Sequence, residues 1–169
     1  DGGASLIYTS TNGTTWTAVP NPVSGTGVSL YSVSAAGPSD VWFSGTAGTL
    51  LHYVGGQMVA VASPTTATIT RVRARASATP LAMGSFGVMR WNGTAWTMTA
   101  RTTPVASVWP ESATSWWLVS GSEIRQWNGV QFIDQAPWAP SSLITFVDLA
   151  GDGVSLWFLG EQGEVLRRD

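Results

Sequence analysis

The chain has 169 residues, a formal net charge of −2 and a charged fraction of 11%, well under the roughly 25% of ordinary soluble domains. Its basic residues are all arginine and form no basic stripe, which excludes a nucleic-acid groove. With no cysteine, disulfides and thiolate metal sites are excluded as well.

No run of eighteen apolar residues is present to span a membrane as a helix, and no charged-then-apolar leader opens the sequence. The length suits one domain, 1–169, with its own core. Gly, Ser, Thr, Val and ten Trp fill the deficit in charge, a diet that favours strands over helices.

From the N-terminus, Ser5-Leu6-Ile7-Tyr8 predicts a strand, Asn12-Gly13 a tight turn and Trp16-Thr17-Ala18-Val19 a second strand. Residues 28–62 carry a fuller unit. Leu30-Tyr31-Ser32-Val33 alternates with period two, and Val41-Trp42-Phe43-Ser44-Gly45 is a short apolar strand ending in glycine. After the turn Thr46-Ala47-Gly48-Thr49 come a strand through His52 and a hairpin at Gly55-Gly56.

The same order returns in 69–100: Ile69-Thr70-Arg71-Val72, Leu81-Ala82-Met83-Gly84, then a turn at Asn92-Gly93 between Trp91 and Trp96. It returns again in 105–135: Val105-Ala106-Ser107-Val108, Trp116-Trp117-Leu118-Val119-Ser120-Gly121, then Asn128-Gly129 between Trp127 and Phe132. A loop containing Trp138 follows. Residues 144–169 hold Ile144-Thr145-Phe146-Val147, a polar turn in Asp148–Gly153, Leu156-Trp157-Phe158-Leu159-Gly160, the hairpin Glu161–Glu164 and a final strand from Val165.

Asn-Gly is the strongest short hairpin signal, because a type I′ turn needs positive φ at both central residues. The turn glycines Gly13, Gly55, Gly93 and Gly129 recur every 36 to 42 residues, near the period of four-stranded propeller blades. The predicted fold is therefore all-β, a β-propeller of four-stranded antiparallel blades with strands A, B, C and D. Three blades are complete. The first repeat (about 1–25) holds only strands C and D, and the last lacks strand D. Ring propellers have roughly four to eight blades. Either the partial blades complete one another within the chain, or the chain is part of a larger ring, or another chain or copy completes it.

Little in this frame carries chemistry. His52 is the only histidine, so a catalytic triad or multi-histidine metal site has one conceivable centre. It occupies the strand-C position of Arg90 and Gln126, which predicts a solvent-facing row. Asp148 and Asp152 supply too few oxygens for calcium, and no two carboxylates can be placed together as a glycosidase pair. Arg71, Arg73 and Arg75 alternate on one strand and share a face, as a solvated edge, a channel wall or an anion site. No catalytic residue, metal site or cofactor is predicted.

Asp40–Tyr53 and Met89–Thr97 resemble the degenerate β-propeller repeats of bacterial secreted proteins, similar to Kelch-like and photosynthesis-assembly-factor-like propellers. Thr9–Trp16 also resembles a sialidase-type Asp-box, Ser-x-Asp-x-Gly-x-Thr-Trp, with Thr11 in place of the aspartate. The resemblance implies architecture rather than catalysis. A non-enzymatic binding or scaffold module follows, extracellular or periplasmic, with a protein or carbohydrate ligand. A lectin is the alternative, with Trp16, Trp96, Trp109 and Trp138 as the aromatics available to stack on sugars. A propeller glycosidase fragment is the remote one.

Overall fold

The computed structural model describes residues 6–99, 105–135 and 144–169, so the candidate Trp138 lies outside the described residues. Five antiparallel sheets follow one another along the chain. The first is the hairpin β1 (Ile7–Thr9) and β2 (Thr17–Val19). The second is β3 (Leu30–Gly37), β4 (Asp40–Gly45), β5 (Leu50–Val54) and β6 (Gln57–Ala60). The third is β7 (Ile69–Arg73), β8 (Leu81–Gly84), β9 (Gly87–Trp91) and β10 (Trp96–Met98). The fourth is β11 (Ser107–Pro110), β12 (Trp116–Ser120), β13 (Glu123–Trp127) and β14 (Phe132–Asp134). The last is β15 (Phe146–Gly151), β16 (Leu156–Gly160) and β17 (Val165–Arg168).

The sheets are the blades, numbered 1 to 5 below. Three are four-stranded meanders; blade 1 has strands C and D, and blade 5 has A, B and C. The two partial blades do not merge: β2 pairs with β1, and β17 with β16, in separate sheets. The inner strands β3, β7, β11 and β15 lie side by side in that order. The propeller arc is unclosed.

The core lies between blades. Trp42 and Leu50 pack on Ile69, Val72, Met89 and Trp96 at the junction of blades 2 and 3. Leu81, Met83 and Val88 meet Val108, Trp116 and Leu118 at the next. Trp117, Val119 and Ile124 meet Phe146, Leu149 and Phe158 at the third. Successive residues of a strand point to opposite faces, so β12 sends Trp116 and Leu118 one way and Trp117 and Val119 the other. That is why its sequence is an unbroken apolar run. The glycines ending strands B admit the incoming chain: a Cβ on Gly45 would collide with the Ser29 carbonyl, and one on Gly84 with that of Thr68.

The turns correct the type I′ expectation. Gly93 and Gly129 have φ of 100° and 97°, but Asn92 and Asn128 do not have positive φ. The strands pair Trp91 with Trp96 and Trp127 with Phe132, leaving four-residue loops. Asn92 Oδ1 accepts from the amides of Thr94 and Ala95 at 3.0 and 2.8 Å, and Asn128 Oδ1 from Val130 and Gln131 at 3.0 and 2.9 Å. An asparagine side chain thus stands in for a backbone acceptor, and only the glycine needs the left-handed region. The two-residue turn with both φ positive is Gly55-Gly56, at 59° and 82°.

In blade 1 the Asp-box-like loop is braced without its aspartate. Asn12 Oδ1 accepts from Thr14 and Thr15 at 2.9 and 2.8 Å, and Ser10 Oγ from the Gly13 amide at 2.8 Å.

Candidate functional site

Because the four inner strands share one register with their neighbours, side chains of the same rank form tiers across the blades. Ser32, Arg71, Ser107 and Asp148 are equivalent, each paired with the residue just before the end of strand B: Ser44, Met83, Val119 and Leu159. Bulges immediately precede Ser32, Arg71 and Asp148 in three of the blades, and bulges turn side chains of a strand to new directions. The next tier is Ser34, Arg73, Trp109 and Ala150, and Arg75 lies beyond.

The first tier is connected. Arg71 Nη1 donates to Asp148 Oδ1 at 3.1 Å and to Ser107 Oγ at 3.3 Å, while Ser107 Oγ donates to the same carboxylate oxygen at 2.5 Å. Arg73 Nη2 reaches that oxygen at 3.5 Å, and the Leu149 amide donates to it at 2.9 Å. Blades 3, 4 and 5 are tied together at their inner edges. Between blades 2 and 3, Ser32 and Ser34 use their hydroxyls on the backbone of Val72 and Ala74, covering an otherwise open strand edge.

Partial burial alone would raise the Asp148 pKa, but the Ser107 hydroxyl, the Leu149 amide and the two guanidinium groups together hold it below the ordinary carboxylate value. For Arg73, burial and then the like charge of Arg71 draw the pKa down, against the pull of Asp148. The Arg73 Nε is buried with no hydrogen-bond partner among the described residues. Arg75 donates to the Glu111 carbonyl at 3.2 Å and lies 5.6 Å from the Trp109 ring centroid. Glu111 itself turns its carboxylate to Ser115 and Gln126. Two cations, Arg71 and Arg73, therefore face one carboxylate on the inner side of the arc, while Arg75 is held by the Glu111 backbone and the Trp109 ring.

The row of His52 is confirmed in register and corrected in environment. His52 pairs with Trp42, Gln126 with Trp117, and Arg167 with Trp157. His52 is half-buried rather than solvent-facing: its ring stacks on Trp42 at 3.9 Å, and Nε2 lies 2.8 Å from Asp40 Oδ1. Gln126 and Arg167 make parallel contacts to Ser115 and Ser155 of their own blades. A contact that recurs from blade to blade with different chemistry is a clasp of strand C onto the start of strand B.

The sequence-derived aromatics separate. Trp96 is buried edge-on against Trp42 at 5.1 Å and has no free face, so it fills the core. Trp109 is half-buried under Arg75. Trp16 is exposed. Asp148 is not in a loop beside Asp152 but within β15, engaged with arginines, while Asp152 caps the amides of Val154 and Ser155. No group of three metal-ligating side chains occurs among the described residues. Sequence reading did not find the partnership of Asp148 with Arg71, 77 residues apart. The signal present was the alternation of arginines at tier positions.

No protein-family model matches the sequence, and no curated protein matches it. Solved structures do match in fold. One described as YCF48 bound to D1 peptide has a TM-score of 0.69 at 20% identity, over 96% of this chain and 56% of that one. The WD40 β-propeller domain of Doa1 has 0.66 at 11%, over 99% and 58%. Virginiamycin B lyase from Staphylococcus aureus has 0.65 at 14%, over 97% and 62%. The chain spans a little over half the length of each. At these identities the likeness is one of β-propeller fold.

Proposed function

We propose that the chain is a non-catalytic binding or scaffold module of the cell exterior, whose inner face takes an acidic group of a peptide or polymer ligand. The observation that carries this reading is the convergence of Arg71 and Arg73 on the single carboxylate of Asp148, with Arg75 two residues further along the chain. A guanidinium that is partly desolvated and under-paired gains most from an arriving carboxylate, which it can grip with two parallel hydrogen bonds. The inner strands are rigid and the hydrogen-bonding groups are held in place before binding, so little ordering entropy is lost. The structure of YCF48 bound to D1 peptide is a precedent for a peptide ligand on a propeller of similar fold. The charge-poor, Thr- and Ser-rich composition supports an extracellular setting.

The test is calorimetric titration with matched acidic and amidated peptides. Acidic peptides should bind, more weakly as salt rises, and Arg73→Ala should abolish the difference between the two sets. Equal binding of acidic and amidated peptides would refute the anionic site. One observation favours a carbohydrate ligand as second reading, the exposed indole of Trp16 beside the braced Ser10–Thr15 loop. Retained binding of simple glycans that is lost in Trp16→Ala would select it.

A further inference from the structure

In each complete blade the meander brings the connection between strands A and B and the turn between strands C and D to the same end. At that end the loop from Arg75 to Pro80 runs between two cavities. One, of about 190 Å³ at the junction of blades 2 and 3, is lined by Asp40, Trp42, His52 and Trp91. The other, of about 720 Å³ at the junction of blades 3 and 4, is lined by Thr79, Arg90, Gly93 and Thr114. Ser77, Ala78, Pro80 and Trp91 line both, so the two form one groove that crosses three complete blades.

Polar groups along this groove are only partly used. Asp40 gives Oδ1 to His52 at 2.8 Å, but its side chain is 49% exposed and Oδ2 has no partner among the described residues. At the same rank blades 3, 4 and 5 carry Thr79, Ser115 and Ser155, so of these four blades only blade 2 places a carboxylate there. The Arg90 guanidinium has no ion pair, and the exposed Ser77 hydroxyl no hydrogen bond, among the described residues. Ser77 is moreover held at φ 64°, as third residue of the turn in which the Ala78 amide donates to the Arg75 carbonyl at 3.3 Å. Glycine is the residue of least strain at that position. A serine kept there, with its hydroxyl unspent between two cavities, is strain retained where a side chain is needed. The loop that carries it is fixed: Thr79 donates from its amide to the Ser112 carbonyl at 3.2 Å and from its hydroxyl to the Ala113 carbonyl at 2.8 Å.

We propose that this groove binds a neutral saccharide chain, with one sugar ring in the cavity beside Trp91 and Asp40 and the chain continuing past Ser77 toward Arg90. The mixture of groups selects this class of ligand. A bound anion meets the Asp40 carboxylate, and a bound cation meets Arg75 and Arg90, which also line the groove. A sugar hydroxyl both donates and accepts, so it satisfies a carboxylate oxygen, a guanidinium and a serine hydroxyl alike. The half-buried Trp91 supplies the apolar wall against which the C–H face of a ring packs. The preset loop keeps the ordering cost of binding low. The groove is separate from the Asp148 site and from Trp16, and the proposal rests on neither.

The test is calorimetric titration of the full chain with mono- and oligosaccharides derived from cellulose, xylan, starch and chitin. At least one series should bind, its oligomers more tightly than its monosaccharide. Ser77→Gly should weaken that binding about tenfold, the loss of one well-placed hydrogen bond, while leaving the thermal midpoint unchanged or raised, since it relieves the turn. Asp40→Asn should weaken binding as well, with unchanged circular dichroism, whereas Trp16→Ala and Arg73→Ala should leave it intact. Absence of binding across all four series would overturn the proposal, as would full affinity in both Ser77→Gly and Asp40→Asn, or binding that disappears in Trp16→Ala. Uncharged peptides that bind in place of sugars and are lost in Ser77→Gly would overturn it too, assigning the groove to a peptide.

Discussion

At the scale of single residues, asparagine and aspartate do structural work that a turn dictionary assigns to the backbone. Asn92 carries two amide hydrogen bonds at its loop, and each exposed bond of this kind contributes about 0.5 to 1 kcal/mol. Asn92→Ala should therefore lower stability by about 1 kcal/mol in denaturant unfolding, with ligand binding unchanged. Asp148 bears on pH. Its folded pKa lies below the unfolded carboxylate value of about 3.9, so the stability it contributes is present above that value and is lost as pH falls through the folded pKa. Asp148→Asn should cost about 1 kcal/mol at neutral pH, a figure kept small because the pair is partly solvated. The deficit relative to wild type should vanish in acid below the usual carboxylate range. A deficit that persists unchanged in acid would exclude the ionic role.

At the scale of elements, the tryptophans divide by position along the blade. Trp42 is fully buried, stacked on His52 and met edge-on by Trp96. Trp42→Ala should cost about 3 to 5 kcal/mol, the range for a large aromatic removed from a packed interior. Trp16→Ala, on an exposed loop, should stay within about 0.5 kcal/mol. Thermal unfolding of the two variants side by side measures the contrast. Strand type, strand order and the incompleteness of the first and last blades were legible in sequence, because period-two alternation and turn glycines are local signals. Turn geometry was not: Asn-Gly is shared by type I′ turns and by the four-residue Asx loops found at Asn92 and Asn128. Nor was the burial of Trp96, since the neighbours that enclose it, Trp42 and Trp91, include one from another blade.

At the scale of the whole molecule, repetition turns local sequence into a shared site. Arg71, Ser107 and Asp148 come from three blades and meet only because each occupies the same rank on its inner strand. The alternation of arginines on β7 was visible beforehand; their counter-charge in blade 5 was not, because pairing across blades depends on radial packing that no local pattern encodes.

Radial stacking is what all of this requires, and nuclear Overhauser contacts between inner strands measure it most directly. The account predicts contacts joining Ser32 to Val72, Arg71 to Ser107 and Ser107 to Asp148, at separations of 40, 36 and 41 residues. Contacts that skip a blade, bringing β3 against β11 with β7 elsewhere as in two packed flat sheets, would contradict it.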